Sequence, residues 1–191
     1  MTHRGAMLEE EPMVSLLPAI ISGALLLIAP TDPLPTPVPA PAFALLVSPE
    51  RRVRAADTRV QDMLAAGLQR SATFARLLSA LNASDVIVYI ERVMTLPHDT
   101  LGRLTIVPVA NGQRYLRIQI RSDLSTTDAI ALIGHEMRHA LEVADVPAVR
   151  DAEGMIKLYR EIGHSSGGDH VYDTTAAQDT GRQVRRELLG A

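Results

Sequence analysis

Apolar residues recur three or four positions apart between residues 50 and 81, a spacing that predicts helical structure. Gly67 and Ser71 interrupt this pattern, so we expect two helices with a break between them. Residues 85–92 (DVIVYIER) then change to a β-branched run, which predicts a strand. The first part of the folded region is therefore expected to be two helices followed by a strand.

A β-hairpin is indicated farther along the chain. Residues 104–109 and 115–120 alternate between apolar and polar positions on either side of Asn111-Gly112, a dipeptide typical of tight hairpin turns. Three helices are expected after the hairpin, at residues 127–144, at residues 151–162 and from about residue 172 to about residue 189. Helices, a small antiparallel sheet and further helices in this order predict an α+β fold.

The amino-terminal residues have a different pattern. Residues 14–29 (VSLLPAIISGALLLIA) are an uncharged apolar run, and prolines recur throughout residues 30–44. We predict a signal peptide or membrane anchor over residues 1–29, a proline-rich linker over residues 30–49 and one folded domain over residues 50–191. The protein is then expected to be exported, and to be secreted, periplasmic or anchored in the cell envelope through residues 14–29. A tail without a targeting role is the alternative.

Charge and composition exclude several classes of protein. The 191 residues include 19 Lys and Arg against 22 Asp and Glu, and only 2 Phe, 4 Tyr and no Trp. Since nucleic-acid binders need a basic surface or stacking aromatic side chains, we expect no nucleic-acid partner. The chain has no cysteine, which excludes disulfides, thiolate metal sites and thiol catalysis. Any metal must therefore be held by His, Asp or Glu.

The predicted helix 127–144 contains an HExxH sequence from His135 to His139. Residues four apart lie on one face of a helix, so His135 and His139 can direct their rings at one metal ion. Zinc held by two histidines and a carboxylate keeps a position for water and lowers the pKa of that water, whose proton Glu136 can accept. This is the chemistry of peptide-bond hydrolysis.

In this helical context the motif resembles the active-site helix of the zincin metallopeptidases, and the chain is similar to a minimal gluzincin. The resemblance covers roughly residues 115–184, and within it only the five-residue motif is specific. It implies that His135 and His139 bind Zn²⁺ and that Glu136 is the general base. It also implies a peptide or protein substrate, which can bind by adding a strand to the edge of the hairpin.

The third metal ligand has several candidates. Asp145 has the offset of the metzincin ligand, but Glu142 occupies the position where that pattern has glycine. Glu142 is better placed as a hydrogen-bond partner of His139 than as a ligand. In gluzincins the carboxylate comes from a later helix and is followed by small residues, which here predicts Asp173; the alternative for Asp173 is an N-cap. Glu153, Glu161 or no protein ligand are the remaining possibilities.

Several other side chains are candidates for the hydrogen-bond donor that stabilises the oxyanion in the transition state: His164, His170, Tyr159 and Tyr172. Tyr159 also fits an apolar frame typical of core packing. The leading functional hypothesis is a zinc-dependent metallopeptidase in which Glu136 activates water. The alternative is an exported domain that binds metal without catalysis or is a degenerate zincin, and a third hypothesis is an HExxH that arose by chance. We expect an open metal position beside the Ile118 strand if the protein is an enzyme.

Overall fold

A computed structural model of the protein describes residues 51–110, 112–165 and 172–190. The predicted targeting segment 1–29, the linker 30–49 and His170 lie outside these residues. Within the described part, none of the helices combines the length and the apolar character needed to cross a membrane.

The described residues contain five α-helices and six strands. The helices are α1 (Thr58–Arg70), α2 (Ala72–Ala83), α3 (Thr126–Ala144), α4 (Ala152–Ile162) and α5 (Thr175–Leu189). The strands are β1 (Val53–Ala55), β2 (Val86–Val93), β3 (Gly102–Ala110), β4 (Gln113–Arg121), β5 (His164–Ser165) and β6 (Tyr172–Asp173), and a short 3₁₀ helix spans Pro97–Asp99. The predicted α+β class is confirmed.

The main sheet is mixed, whereas the sequence predicts an antiparallel sheet. Its strand order is β1-β2-β4-β3, with β2 parallel to both β1 and β4 and only β3 antiparallel to β4. The β3–β4 hairpin is as predicted, and Gly112 has the positive φ of 74° that its turn requires. Since β3 has a partner on one side only, it forms a free edge of this sheet among the described residues.

The break between α1 and α2 lies at Ser71 alone. The Ser71 hydroxyl accepts a hydrogen bond from the backbone N–H of Phe74 and so caps α2. Gly67 lies within α1 instead, where a Cβ would be 2.8 Å from the ring of Phe74. The glycine therefore serves close packing and does not end the helix.

The core lies between the helices and one face of the sheet. In β2 and β4 every second side chain is fully buried there, namely Val86, Val88, Ile90, Leu116, Ile118 and Ile120. Helix α3 contributes Ile130, Ile133 and Met137, also with no exposed surface, to the same core. This packing fixes α3 against the sheet and determines which of its faces is left for chemistry.

Arg114 joins the carboxyl end of α3 to the sheet. It is 2 % exposed, and its guanidinium donates hydrogen bonds to the carbonyl oxygens of Val143 (2.9 Å), Ala144 (3.0 Å), Val146 (3.0 Å) and Val149 (3.2 Å). The last carbonyl groups of a helix have no partner within the helix. Arg114 therefore satisfies these groups from a neighbouring strand.

Candidate metal centre

Two close contacts between α3 and α5 bring the two helices together. A Cβ on Gly134 of α3 would be 2.9 Å from Val184 Cγ2, and a Cβ on Gly181 of α5 would be 3.1 Å from His135 Cβ. Side chains at these positions would push the helices apart. Because the glycines are small, α5 crosses α3 beside the HExxH residues and the segment leading into α5 reaches the two histidines.

Asp173 is the third-ligand candidate that the structure brings to the histidines. Its Oδ1 lies 3.5 Å from His135 Nε2 and 3.4 Å from His139 Nε2. It is not the N-cap of α5, because Thr174 takes that position and accepts the backbone N–H of Ala177. Gln178 donates to Asp173 Oδ2 at 2.9 Å, which orients the carboxylate.

The three side chains have the spacing of a metal site. Ligand atoms of His135, His139 and Asp173 all lie within 4.8 Å of one another. Tetrahedral zinc with ligands at about 2.0–2.1 Å has ligand atoms about 3.3–3.4 Å apart, and the two nitrogen-to-oxygen distances above are close to this value. The described residues can therefore hold a metal ion here.

The other third-ligand candidates are not part of this group. Asp145 is the exposed C-cap residue of α3, and Glu153 and Glu161 are exposed on α4. Glu142 is buried and its Oε2 lies 2.9 Å from His139 Nδ1, on the side of the ring away from Asp173. Glu142 is therefore a partner of a candidate ligand, which is the role its sequence position favoured.

Glu142 also connects α3 to the start of α5. Its Oε1 accepts a hydrogen bond of 2.9 Å from the Thr174 hydroxyl. Burial alone raises the pKa of Glu142, but hydrogen bonds from His139 and Thr174 outweigh burial and lower the pKa below its usual value. An ionised Glu142 keeps a proton on His139 Nδ1, which leaves Nε2 free to bind a metal.

The two histidines differ in pKa. Burial and the nearby charge of His139 lower the pKa of His135. Burial also acts to lower the pKa of His139, but hydrogen bonds to Asp173 and Glu142 outweigh it and raise the pKa to about 9. Asp173 is held ionised: burial opposes its charge, yet the hydrogen bonds from His139 and Gln178 keep its pKa well below the usual range. Two carboxylates therefore face the His139 ring, and a metal ion bound at its Nε2 would take the place of the proton there.

Glu136 lies beside the metal-binding group and is 4 % exposed. Burial raises its pKa from 4.5 to about 7. Gly102, the first residue of β3, leaves room for this carboxylate, because a Cβ at Gly102 would be 2.9 Å from Glu136 Oε1. A buried carboxyl with a pKa near neutrality can both accept and donate a proton.

Glu136 and the metal-binding group open into a cleft of about 780 Å³. The cleft borders the free edge of β3, from Gly102 to Thr105. Its other walls come from the 97–101 segment and from apolar side chains of α3 and α4, including Leu132, Met155, Ile156 and Tyr159. The prediction that the cleft lies beside the Ile118 strand is wrong, because β4 is an inner strand and Ile118 is fully buried.

The candidate oxyanion donors have other contacts. The Tyr159 hydroxyl donates to the carbonyl oxygen of His139 at 3.0 Å, and the two rings meet edge to face with centroids 5.2 Å apart. Tyr159 therefore supports His139. The Tyr172 hydroxyl accepts from Arg160 Nε at 3.2 Å and lines the cleft, whereas His164 is exposed beside Gln178.

Sequence reasoning did not find the parts that Gly102, Thr174 and Gln178 take in the site. Thr174 had a signal, since threonine is among the residue types preferred as the N-cap of a helix. The roles of Gly102 and Gln178 depend on how β3 and α5 pack against α3.

No family model, curated protein or solved structure matches the chain, so the residues of the site carry the functional argument.

Proposed function

We propose that this protein is a zinc-dependent metallopeptidase. The observation that carries the proposal is the group of His135, His139 and Asp173 beside the buried carboxyl of Glu136, at the bottom of an open cleft. Structural metal sites are surrounded by protein ligands, whereas catalytic sites keep one side open to substrate. Three protein ligands facing a cleft favour the catalytic arrangement.

Zinc is the metal that the donor set favours. Two imidazoles and one carboxylate are usual ligands of catalytic zinc, and the distances from the Asp173 oxygen to the two histidine nitrogens suit a tetrahedral ion. When bound, zinc acts as a Lewis acid that polarises the substrate carbonyl and acidifies water. His135, His139 and Asp173 would hold it.

Glu136 carries the proton transfers. As the oxygen of water bonds to the carbonyl carbon of the peptide, the Glu136 carboxylate takes one proton from that water. As the C–N bond breaks, Glu136 gives the proton to the leaving amine nitrogen. The pKa of about 7 suits both steps, because the group changes protonation state near neutral pH.

The free edge of β3 offers a place for the substrate backbone. An extended peptide can hydrogen-bond to an unpaired strand edge, and β3 lines the cleft next to Glu136. The peptide bond would then lie between this edge and the metal-binding group.

The apolar run at residues 14–29 supports export, so we place the substrate outside the cytoplasm or in the cell envelope.

Metal analysis and peptide hydrolysis with the full-length chain test this proposal. We expect about one zinc per chain in the wild type, and none in folded His135→Ala and His139→Ala variants. Glu136→Gln should keep the metal and lose at least a hundredfold in hydrolysis, since general-base catalysis contributes about 10²–10⁴-fold. Folded Glu153→Gln, altered on an exposed part of α4, is the matched control.

Each contrary result has a definite meaning. Zinc binding with no hydrolysis of a broad peptide library would indicate a non-catalytic metal-binding domain. Hydrolysis that is unchanged in Glu136→Gln would refute the role of Glu136. A wild-type chain that binds no zinc at neutral pH would leave the HExxH sequence without a metal function.

A further inference from the structure

Arg103 lines the cleft and follows Gly102, the residue of β3 that lies against Glu136. The preceding residue, Gly102, has its main chain beside the Glu136 carboxylate, and both Gly102 and Arg103 line the cleft. A strand rises about 3.3 Å per residue. Side chains alternate between the two faces of a strand, so the Arg103 side chain lies with Gln119 on the sheet face opposite Leu104 and the core. A substrate bound along β3 with its reacting bond near Glu136 would direct the side chain of the neighbouring residue towards that face.

The Arg103 side chain is held at one of its nitrogens only. Its Nε donates a hydrogen bond of 2.7 Å to Gln119 Oε1, and Gln119 Nε2 in turn donates to Glu91 Oε1 at 2.6 Å. The glutamine amide stands between Arg103 and the acid, so the Glu91 carboxylate does not pair with Arg103. Glu91 pairs instead with Arg117, whose Nε lies 3.8 Å from Glu91 Oε1.

The terminal nitrogens of Arg103 have no hydrogen-bond or carboxylate partner among the described residues. Arg117 and Arg121, on the same face of the sheet, each have an acidic neighbour. Asp99 also lines the cleft, and its charge acts on Arg121. Arg103 thus presents an oriented cation that no acidic residue of the described chain neutralises.

A guanidinium fixed at Nε and free at its terminal nitrogens is suited to a carboxylate, which it can bind with two parallel hydrogen bonds. We propose that Arg103 binds a carboxylate of the substrate, so that the protein selects peptides with a carboxylate next to the bond that is cleaved. The carboxylate is either the side chain of Asp or Glu or the free carboxyl terminus of the peptide. This inference rests on the proposed function, because it assigns a substrate class to the same cleft.

Matched peptides measure the preference. One pair differs by Glu or Gln beside the cleaved bond, and the other pair differs by a free or an amidated carboxyl terminus. We expect the zinc-loaded full-length protein to cleave one carboxylate form with a kcat/KM at least tenfold above that of its neutral partner. The pair that shows the difference identifies the source of the carboxylate.

Arg103→Gln removes the cation and should abolish this preference, mainly by slowing the carboxylate peptide. Arg117→Gln is the matched control, since it removes a cation from the same sheet face at a position that does not line the cleft. If Arg103→Gln does not fold, Arg103→Lys keeps the charge without the planar fork and should reduce the preference severalfold. A preference that survives in the folded Arg103 variant, or that is absent from the wild type, overturns the proposal.

A binding measurement separates this inference from the proposed function. Zinc-loaded Glu136→Gln protein is titrated by calorimetry with the same peptides, with and without Arg103→Gln in addition. If no peptide is cleaved by the wild type but Arg103-dependent binding of the carboxylate form remains, the peptidase proposal fails and the carboxylate site stands. If peptides are cleaved without any such discrimination in rate or binding, the peptidase proposal stands and the role of Arg103 is refuted.

Discussion

Replacing Arg114 with methionine tests whether the stability of the carboxyl end of α3, the helix with the HExxH sequence, depends on a single side chain. Methionine has a similar length but no hydrogen-bond donor, so Arg114→Met removes the four bonds to carbonyl groups at the end of α3 and just after it. The carbonyl oxygens of Val143 and Val146 keep other backbone donors. Those of Ala144 and Val149 lose a partner that no other hydrogen bond in the described residues replaces.

The expected loss of stability follows from these two acceptors. A buried polar group without a partner costs about 1–3 kcal/mol, which gives about 2–5 kcal/mol for the pair once partial solvent access at Ala144 is allowed for. Arg114 also forms an ion pair with Asp85 at 2.5 Å, but the Asp85 side chain is 61 % exposed, so this pair contributes at most about 1 kcal/mol. Arg114→Met should therefore destabilise far more than Asp85→Asn.

Urea unfolding followed by circular dichroism measures both variants against the wild type. We expect Arg114→Met to lower the free energy of unfolding by about 2–5 kcal/mol and the melting temperature by roughly 5–15 °C. Arg117→Met, on the same strand but half-exposed, is the control and should change stability by less than about 1 kcal/mol. Equal losses in Arg114→Met and Asp85→Asn would refute the reasoning, because the stabilisation would then come from the ion pair.

Three further predictions concern carboxyl groups. Glu142→Gln should weaken metal binding about 10–100-fold, as measured by competition with a chelator, because it loses the charge that orients His139; unchanged affinity would contradict this role. The pKa of Glu136 is raised from 4.5 to about 7, so ionisation destabilises the folded metal-free protein as pH rises through that range. Glu136→Gln should accordingly be more stable than the wild type in urea unfolding at pH 8 with chelator, with the difference shrinking at pH 5; a difference independent of pH would argue against it. The pKa of Glu187 moves the other way, to about 2, because hydrogen bonds from Ser71, Gln183 and Thr73 outweigh burial. Its stabilising effect should be fully present above about pH 4.5 and lost as pH falls towards 2, so unfolding curves of wild type and Glu187→Gln should converge in acid.

Local sequence patterns predict most of the elements but not how they pair. The Asn111-Gly112 dipeptide predicts the β3–β4 hairpin, because a tight turn places the two flanking strands side by side. The parallel pairing of β2 with β4 has no such signal, because Val86–Val93 reads as a strand without indicating a partner. That pairing places the hairpin so that β3, and not β4, borders the cleft.

In the candidate metal site, too, local sequence predicts some residues and packing between distant elements decides the others. His135, Glu136 and His139 can be predicted from helical spacing within five residues. The position of Asp173 depends on how α5 crosses α3, which rests on contacts at Gly134 and Gly181 that no local pattern encodes. Sequence order therefore restricts the third ligand to a few acids, and packing between distant helices decides which of them reaches the histidines.

The position of Asp173 in the chain gives a bound metal ion a further effect. An ion held by His135 and Asp173 would join points 38 residues apart (173 − 135) and close a loop that contains α4 and both strands of the small sheet. A cross-link of this kind reduces the conformational entropy of the unfolded chain, as a disulfide does. This protein has no cysteine with which to form one. The same ion that would support the proposed hydrolysis would then hold the residues that lead into α5 against α3, and its removal should first loosen those residues.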